Sequence, residues 1–316
     1  MRNKIIDFNK LLKPCLIASA IIIAVGLVLT VVLGPVLDIS FGGGTRITYS
    51  YTGEINTDTV AKFAADTLGK KVTVDTTSGV TDNSQKLTVS LADKESLSTE
   101  LIDKLTKQLT SDEQFSANSI KQEEVNSVSP SVGSVFFAKC LVAVIIAAIL
   151  VVLYIAFRFR KIGGWLAGVS ALLALLHDVL IAFFVMIVFR LDIDSNFVAV
   201  VMTLLGYSLN STIVVFDRIR ENRRAFGSKQ TLVETLNMSN TQVLSRNVMT
   251  SLATFVAIFV VLVVCELNGI TSLRSLTIPL CFGIISGAYS SICLAPAIWV
   301  KWKNASDAKK AAKIKK

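Results

Sequence analysis

Six long segments of this chain are apolar and almost free of charge, and this feature constrains the fold more than any other. A bilayer core of ~30 Å requires about 20 apolar residues in a helix. The segments run over 15–37, 140–157, 162–189, 195–216, 247–265 and 275–300. Charged residues make up only 17% of the chain, below the roughly 25% of soluble domains, which argues against a soluble enzyme. The sequence therefore predicts an α-helical polytopic membrane protein with six transmembrane helices.

The distribution of Lys and Arg predicts how these helices are oriented. If the N-terminus lies in the cytoplasm, the segments on that side hold 20 basic and 5 acidic residues, whereas the outer segments hold 12 and 17. This asymmetry follows the positive-inside rule and places both termini in the cytoplasm. The net charge of +9 then faces the anionic inner leaflet, so membrane lipids explain it without a nucleic-acid partner. The first segment is too long for a cleaved signal peptide and is expected to be an anchor.

A polar stretch between the first two apolar segments predicts a folded domain outside the membrane. Alternation indicates strands over 45–51, 71–77, 86–91 and 118–125, and helical spacing indicates helices over 57–68 and from Asp93 or Ser96 to about Leu109. A turn is expected at 79–84. The β-α-β-β-α-β order is that of a ferredoxin-like α+β domain. Because the stretch contains no nucleophile–base pair and no Gly-rich phosphate loop, we expect binding or mechanical work and not enzyme activity.

These patterns divide the chain into four regions. They are a cytoplasmic N-terminus with the first helix at 1–37, an extracytoplasmic domain at 38–133, helices two to six at 134–300 and a basic cytoplasmic tail at 301–316. The five cysteines lie in or beside apolar segments and lack metal-type spacing. We therefore expect no disulfide, no metal site and no cofactor.

His177 and Asp178 interrupt the third apolar segment near its centre. An ionised Asp there costs ~2.5–3.5 kcal/mol on insertion scales, and such residues often mark functional sites. Asp178 is interpreted either as a proton-handling group or as a structural clamp between helices, and the residues alone leave both open. For His177, the only histidine, a structural role is favoured. The two side chains need not touch, because neighbouring helix positions point about 100° apart.

Further polar and small residues lie on the later helices. The polar rows are Tyr207, Asn210, Ser211, Val214 and Asp217 in the fourth helix, and Arg246, Thr250 and Thr254 in the fifth. Such rows avoid lipid, so we expect them to converge with Asp178 on a common interior. Small residues at Gly206, Gly283, Gly287 and Ser291 are interpreted as sites of close helix packing. A solvated ion pair of Asp217 with Arg218 and a short interfacial helix over 230–245 are also expected.

Several motifs together resemble the SecF family of bacterial protein-export membrane subunits. They are the segment from Asp38 to Gly44, His177-Asp178-Val179, the block from Gly206 to Glu221, Ser245 to Asn247 with Thr250 and Ser251, and Ser286 to Ser291. The resemblance implies a subunit of the resistance-nodulation-division type in the bacterial cytoplasmic membrane. It implies pairing with SecD, association with the SecYEG channel and often with YajC, and use of the proton gradient to draw preproteins outward.

The resemblance also implies roles for particular residues. The family's segment close to D-F-x-G-G corresponds to Asp38, Phe41, Gly42, Gly43 and Gly44, where a hinge to the outer domain is expected. Arg246 matches a family arginine that would be the counter-charge of a carboxylate in an Asn-Asp-Thr triplet of the fourth helix. Here the triplet is Asn210-Ser211-Thr212. Because Ser211 cannot ionise, a proton relay would depend on Asp178 or on the partner.

Two other functions remain open. One is a scaffold that only stabilises SecD and the channel, and the serine at position 211 favours it. The other is half of a proton-driven exporter of lipids or small molecules, which predicts a larger outer domain with an aromatic pocket. Replacing Asp178 and, separately, Arg246 would distinguish a relay from a scaffold.

Overall fold

Long helices and one small sheet make up the computed structural model, which describes residues 6–70, 72–78, 85–91, 97–112, 114–115, 118–268 and 270–314. The helices are α1 (Phe8–Leu33), α2 (Ile39–Gly42), α3 (Thr57–Leu68), α4 (Thr99–Ser111), α5 (Pro130–Arg158), α6 (Gly164–Val188), α7 (Ser195–Phe226), α8 (Leu232–Leu267), α9 (Arg274–Tyr289) and α10 (Ala295–Ile314). The strands are β1 (Gly44–Tyr51), β2 (Thr73–Ser78), β3 (Gln85–Leu91) and β4 (Lys121–Val128). A π-helical turn at Ser290–Leu294 joins α9 to α10. The turn expected at 79–84 and the helix start expected at Asp93 or Ser96 lie outside the described residues.

Within the described residues, six helical runs are long and apolar enough to cross a membrane, as the sequence predicts. They are α1, α5, α6, α7, α8 and the continuous run of α9 and α10. In their most apolar windows, 50% of α6 and 67% of the last run are buried within the protein, compared with 11% of α1, α5 and α8. The chain is therefore a multi-pass membrane protein. Its α6, α7 and α9 helices form the centre, and its outer helices expose apolar side chains where lipid would lie.

The fifth membrane helix is longer than the sequence indicates, and the separate interfacial helix predicted over 230–245 is wrong. The α8 helix runs unbroken through this segment. A capping box starts it, because the Glu234 amide donates to Thr231 Oγ1 and the Thr231 amide donates to Glu234 Oε2. In its polar first half, Asn240 Nδ2 donates to the Ile292 carbonyl at 2.9 Å. These bonds favour one continuous helix although the segment is too polar to lie in lipid.

The sheet domain (residues 44–128) is a four-stranded antiparallel sheet in the order β2-β3-β1-β4. Its chain order is β-α-β-β-α-β. One face carries the core, because alternate residues of β1 and β3, including Ile47, Tyr49 and Leu87, are buried against α3 and α4. The α3 helix has its predicted bounds.

The fourth strand begins three residues later than the 118–125 range predicted from alternation. The reason is a side chain that serves the adjoining loop. Asn118 Nδ2 donates to the carbonyls of Thr52 and Glu54, at 2.9 and 3.0 Å. Asn118 therefore fixes the end of β1 and does not join the ladder.

Candidate functional site

Asp178 lies on α6 at the centre of the bundle, and its side chain is fully buried. Three serine hydroxyls donate to its carboxylate: Ser208 of α7 at 2.9 Å, Ser286 of α9 at 2.7 Å and Ser290 of the π-helical turn at 2.7 Å. These hydroxyls supply the hydrogen bonds that water would otherwise give to the carboxylate. A protonated carboxyl would itself donate one hydrogen bond, and the acceptors within reach are these serine hydroxyls and His177 Nδ1. A change of charge at Asp178 is therefore linked to three helical segments.

His177 contacts the same group, although neighbouring helix positions need not meet. Its Nδ1 lies 3.3 Å from Asp178 Oδ1 and 3.3 Å from Ser286 Oγ. Its Nε2 is buried without a hydrogen-bond partner among the described residues, and its ring centroid lies 6.0 Å from that of Tyr289. Tyr289 Oη donates to the Cys15 carbonyl of α1 at 2.7 Å. A row of polar groups thus leads from Asp178 towards α1.

Two glycines let α9 approach α6 and α7 closely enough for these contacts. A Cβ atom at Gly283 would lie 2.5 Å from Leu204 Cδ1, closer than real Cβ contacts come. A Cβ atom at Gly287 would lie 3.2 Å from the Tyr207 ring and 3.6 Å from Asp178 Oδ2. Both glycines therefore lie at close helix contacts, where the sequence places them.

The other two predicted packing residues have different surroundings. Gly206 is exposed, and a Cβ atom built on it meets nothing within 4 Å, so it contacts no helix within the described ranges. Ser291 is fully buried, and its Oγ donates to the Gly287 carbonyl of its own helical run at 2.6 Å. Its hydroxyl therefore forms a local bond from the π-helical turn back to α9.

The expected convergence of α8 on Asp178 is found only in part. Asn247 is buried and its Nδ2 lies 3.5 Å from the Ser211 carbonyl, which joins α8 to α7. Arg246 and Asn210, the residues before each of these two, are exposed. One step along a helix turns a side chain by about 100°, so Arg246 points away when Asn247 points inward. Within the part of the chain that the structure describes, Arg246 has no ion pair and is not the counter-charge of Asp178.

Asp217 lies at the end of the bundle opposite the sheet domain and forms different ion pairs from the one predicted. Its carboxylate lies 3.1 Å from Arg158 of α5 and 2.6 Å from Arg220. Arg218, the expected partner, instead lies 2.7 Å from Glu221. Side chains three positions apart share a helix face, whereas adjacent ones do not. This accounts for the pairs of Asp217 with Arg220 and of Arg218 with Glu221.

The expected hinge is a tightly bonded turn. Asp38 caps α2, accepting from the Ser40 amide at 2.9 Å and from Ser40 Oγ at 2.6 Å. Its carboxylate also pairs with Arg46 of β1. Its amide donates to the Ile193 carbonyl at 3.2 Å, in the loop between α6 and α7. Asp38 therefore connects the first membrane helix, the sheet domain and the loop after α6.

Packing around the turn is equally close. The Phe41 ring is buried against Phe136 and Phe137 of α5, with ring centroids 5.6 and 5.3 Å away. Gly43 has a φ of +79°, and a Cβ atom there would lie 2.6 Å from Pro130 Cα. Only glycine combines that conformation with that proximity. Motion of the sheet domain at this turn would require these contacts to change together.

Acidic residues surround the same turn, and sequence reasoning did not single them out. Burial, together with repulsion from Asp75 and Asp38, raises the pKa of Asp192 to about 6, although Arg46 opposes the shift. Burial also raises the pKa of Asp75 and of Asp194. The base of the sheet domain thus contains a carboxyl group that titrates in the mildly acidic range.

The serines around Asp178 are the main functional candidates that the sequence did not assign. Ser286 and Ser290 lie four positions apart, which places them on one helix face. That spacing could have indicated a shared partner, but it also fits plain packing. Ser208 lies one residue outside the row predicted for α7, and only the three-dimensional arrangement pairs it with Asp178.

Comparisons with known proteins give one consistent result. The matching family model, "Protein export membrane protein SecD/SecF, C-terminal", covers residues 107–305. Protein translocase subunit SecF of Alicyclobacillus acidocaldarius is 33% identical over 92% of this chain and 90% of its own length. Protein translocase subunit SecDF of Bacillus subtilis is 31% identical over 94% of this chain but only 38% of its own length. The crystal structure of SecDF from Thermus thermophilus has a TM-score of 0.78 at 29% identity, covering 96% of this chain and 39% of that one.

Proposed function

The chain belongs to the SecD/SecF family of protein export membrane proteins, and we propose that it is a SecF-type subunit that assists preprotein export by the Sec translocase. In this role it performs no covalent chemistry and uses the proton gradient as its energy source. Its partners are SecD, the SecYEG channel, preproteins and, in some assemblies, YajC. The termini lie in the cytoplasm and the sheet domain lies outside, in keeping with the bias of Lys and Arg along the chain.

One observation carries this proposal: the hydroxyls of Ser208, Ser286 and Ser290 all donate hydrogen bonds to the Asp178 carboxylate. The carboxylate is fully buried in a membrane bundle and is bonded from three helical segments. When it takes up a proton, its negative charge disappears and the three hydrogen bonds from the serines become weaker, because they no longer have a charged acceptor. Protonation therefore changes the preferred packing of α6, α7 and α9. One proton crossing 100 mV supplies ~2.3 kcal/mol, which suits a shift between two packed states better than the unfolding of a preprotein.

The turn from Asp38 to Gly44 is proposed to transmit this change to the sheet domain. Asp38 bonds to Ile193, which follows α6, and also pairs with Arg46 at the start of the sheet. A movement of α6 would therefore reach the domain through few bonds. The chain order and strand order of the domain support a ferredoxin-like fold, a compact unit that can move as a rigid body.

Pairing with SecD is supported by polar residues on the bundle surface. Asn210 of α7 and Arg246 of α8 are exposed, next to the contact between Ser211 and Asn247. Exposed polar side chains beside a helix contact can form hydrogen bonds to a further helix, so a second helical subunit that covers them would be favoured. SecDF proteins of Bacillus subtilis and Thermus thermophilus match this chain over 38% and 24% of their own lengths. The part of these SecDF chains that this chain does not match corresponds to the SecD partner proposed here.

The test is preprotein transport in inverted membrane vesicles that contain SecD and the channel, with and without a proton gradient. Asp178→Asn preserves shape but cannot ionise, so we expect it to assemble with SecD and to lose the gradient-dependent part of transport. Asp103→Asn, at an exposed position on α4, is the matched control and should retain that part. Co-purification with SecD shows that each variant is folded. Full gradient dependence in an assembled Asp178→Asn complex would exclude Asp178 as the relay.

A scaffold role is the second candidate, because one specific observation favours it. Ser211 replaces the helix-four carboxylate that the family resemblance implies, and Arg246 has no carboxylate partner within the described residues. A scaffold predicts that Asp178→Asn and Arg246→Met both leave the complex and transport intact. The same vesicle experiment therefore distinguishes the two roles.

A further inference from the structure

A basic cavity lies at the end of the bundle opposite the sheet domain. It has a volume of about 510 Å³ and is lined by Phe157, Arg158, Arg160, Lys161, Arg220 and Arg224. This volume falls within the ~300–1,000 Å³ of typical ligand pockets. Its charged residues come from the end of α5, the turn after it and the end of α7, which lie far apart in sequence. The helix packing therefore collects five positive side chains around one opening.

The positive charge of this cavity is poorly balanced within the chain. Asp217 is the nearby carboxylate, and it is already shared between Arg158 and Arg220. In the ranges that the structure describes, Arg160, Lys161 and Arg224 have no carboxylate partner, and Arg220 Nε is buried without a hydrogen bond. Clustered like charges repel one another, so an anion in the cavity would relieve the repulsion. Guanidinium groups match phosphate oxygens in geometry as well as charge.

A neighbouring cavity of about 280 Å³ differs in this respect. It shares Lys161, Arg220 and Arg224 and adds Arg223 and Lys303. Those two additional groups are satisfied, because Lys303 Nζ lies 2.8 Å from Asp307 and Arg223 donates to two loop carbonyls. The smaller cavity therefore adds no unbalanced charge of its own, whereas the larger one adds Arg160 to the shared Lys161 and Arg224.

The position of the larger cavity indicates a lipid and not a soluble anion. Phe157, in its wall, is 72% exposed, and Trp165 at the start of α6 is 65% exposed. Trp165 lies at the start of a membrane-crossing helix, and an exposed Trp ring favours the level of the lipid headgroups. Phe157, at the end of another such helix, adds exposed apolar surface beside the arginines. A phosphate bound among the arginines would therefore have apolar protein surface beside it, where acyl chains can pack. We propose that this cavity binds the phosphate of an anionic phospholipid.

The experiment is native mass spectrometry of the purified full chain in detergent, titrated separately with phosphatidylglycerol and phosphatidylcholine. We expect tighter retention of phosphatidylglycerol. Arg160→Gln with Arg224→Gln should weaken this retention about 30-fold, which corresponds to roughly 1 kcal/mol for each cation removed. Lys301→Gln with Lys309→Gln is the matched control. It removes the same charge from exposed positions outside the cavity and should change retention by less than about threefold.

Three results would overturn the proposal. The first is equal retention of both lipids by the unmodified chain, and the second is an equal effect of the two double variants, which would indicate general surface attraction. The third is binding of inorganic phosphate alone as tight as that of phosphatidylglycerol at the same ionic strength, which would indicate a site for free phosphate. All four replaced side chains are exposed, so we expect the variants to fold. Unchanged circular dichroism and elution volume verify this.

Discussion

Ser290 Oγ lies 2.7 Å from Asp178 Oδ2 and donates a hydrogen bond to it from the first residue of a π-helical turn. The next residue, Ser291, is equally buried, yet its hydroxyl bonds to the Gly287 carbonyl of its own helical run. Both hydroxyls reach the Gly287 carbonyl, at 3.4 Å from Ser290 and 2.6 Å from Ser291, but only Ser290 also bonds to Asp178. This pair offers a direct measure of what the Asp178 contact contributes.

Ser290→Ala should destabilise the protein by about 1.5–3 kcal/mol, the range for a hydrogen bond to a charged group. Ser291→Ala should cost about 1 kcal/mol or less, because it removes only a second bond to a helix carbonyl. Thermal unfolding of both variants in the same detergent measures the difference. Equal costs would show that the bond to Asp178 contributes no more than a bond to a helix carbonyl.

The pKa of Asp192, raised to about 6, predicts a pH-dependent stability. The folded protein binds more protons than the unfolded chain between about pH 4 and 6, so stability falls as pH rises through that window. Asp192→Asn removes the penalty of the ionised group. It should raise the melting temperature at about pH 7.5 and have little effect at about pH 4.5. Asp103→Asn, exposed on α4, should show no such trend, and a pH-independent gain for Asp192→Asn would contradict the assignment.

Gly43→Ala should destabilise the attachment of the sheet domain by about 3 kcal/mol or more. It forces a non-glycine residue into a φ of +79° and places Cβ 2.6 Å from Pro130 Cα. Gly34→Ala is a matched control, because Gly34 has a φ of +71° and a Cβ atom built there meets nothing within 4 Å. It should cost less, about 1–3 kcal/mol, because only the backbone conformation opposes it. Limited proteolysis between α1 and α5, with thermal unfolding, compares them, and similar losses would show that packing at Pro130 is unimportant.

Arg246→Leu should leave the isolated chain as stable as before, because Arg246 is exposed and has no ion pair among the described residues. It should reduce co-purification with SecD at least several-fold if SecD covers this surface. Lys139→Leu removes the same charge from an exposed position on α5 and serves as the control. Equal recovery of SecD with both variants would place the SecD contact elsewhere.

A disulfide between cysteines at positions 37 and 193 should fix the start of the Asp38–Gly44 turn to the loop after α6. Leu37 and Ile193 form a parallel bridge, and paired strand positions lie within the range of a disulfide. If the start of the turn moves relative to this loop during export, oxidation should abolish stimulation of export in the vesicle assay, and a reductant should restore it. Unchanged export by the fully oxidised protein would refute motion between the turn and the loop.

The membrane helices could be predicted from the sequence because each one carries its own signal. Uninterrupted apolar length determines a spanning helix almost independently of its neighbours. The sheet domain was nearly as readable, since alternation in β1 and β3 reflects one buried face. Boundaries were less accurate where a side chain forms a local bond, as Asn118 does with the carbonyl of Thr52.

The candidate site was less predictable, because its donors lie on separate helices. Asp178 is recognisable from the sequence as a charge in an apolar segment. Which serine faces it depends on how α7 and α9 are rotated, and Ser208 lies one position outside the row expected on α7. The outward direction of Arg246 likewise depends on which side of α8 packs against α7. Both are properties of helix packing that no single segment encodes.

The π-helical turn at Ser290–Leu294 acts as a phase shift in the last membrane helix. It accommodates one residue more than an α-helical path, and each residue contributes about 100° of rotation. Trp299, which follows it, is 1% exposed, and its ring meets that of Phe216 with centroids 5.9 Å apart. If the turn adopted α-helical geometry, Trp299 would rotate away from Phe216, unless the whole of α10 turned to compensate. One additional residue in this turn therefore determines how the helix that carries Trp299 is rotated relative to the segment that bonds to Asp178.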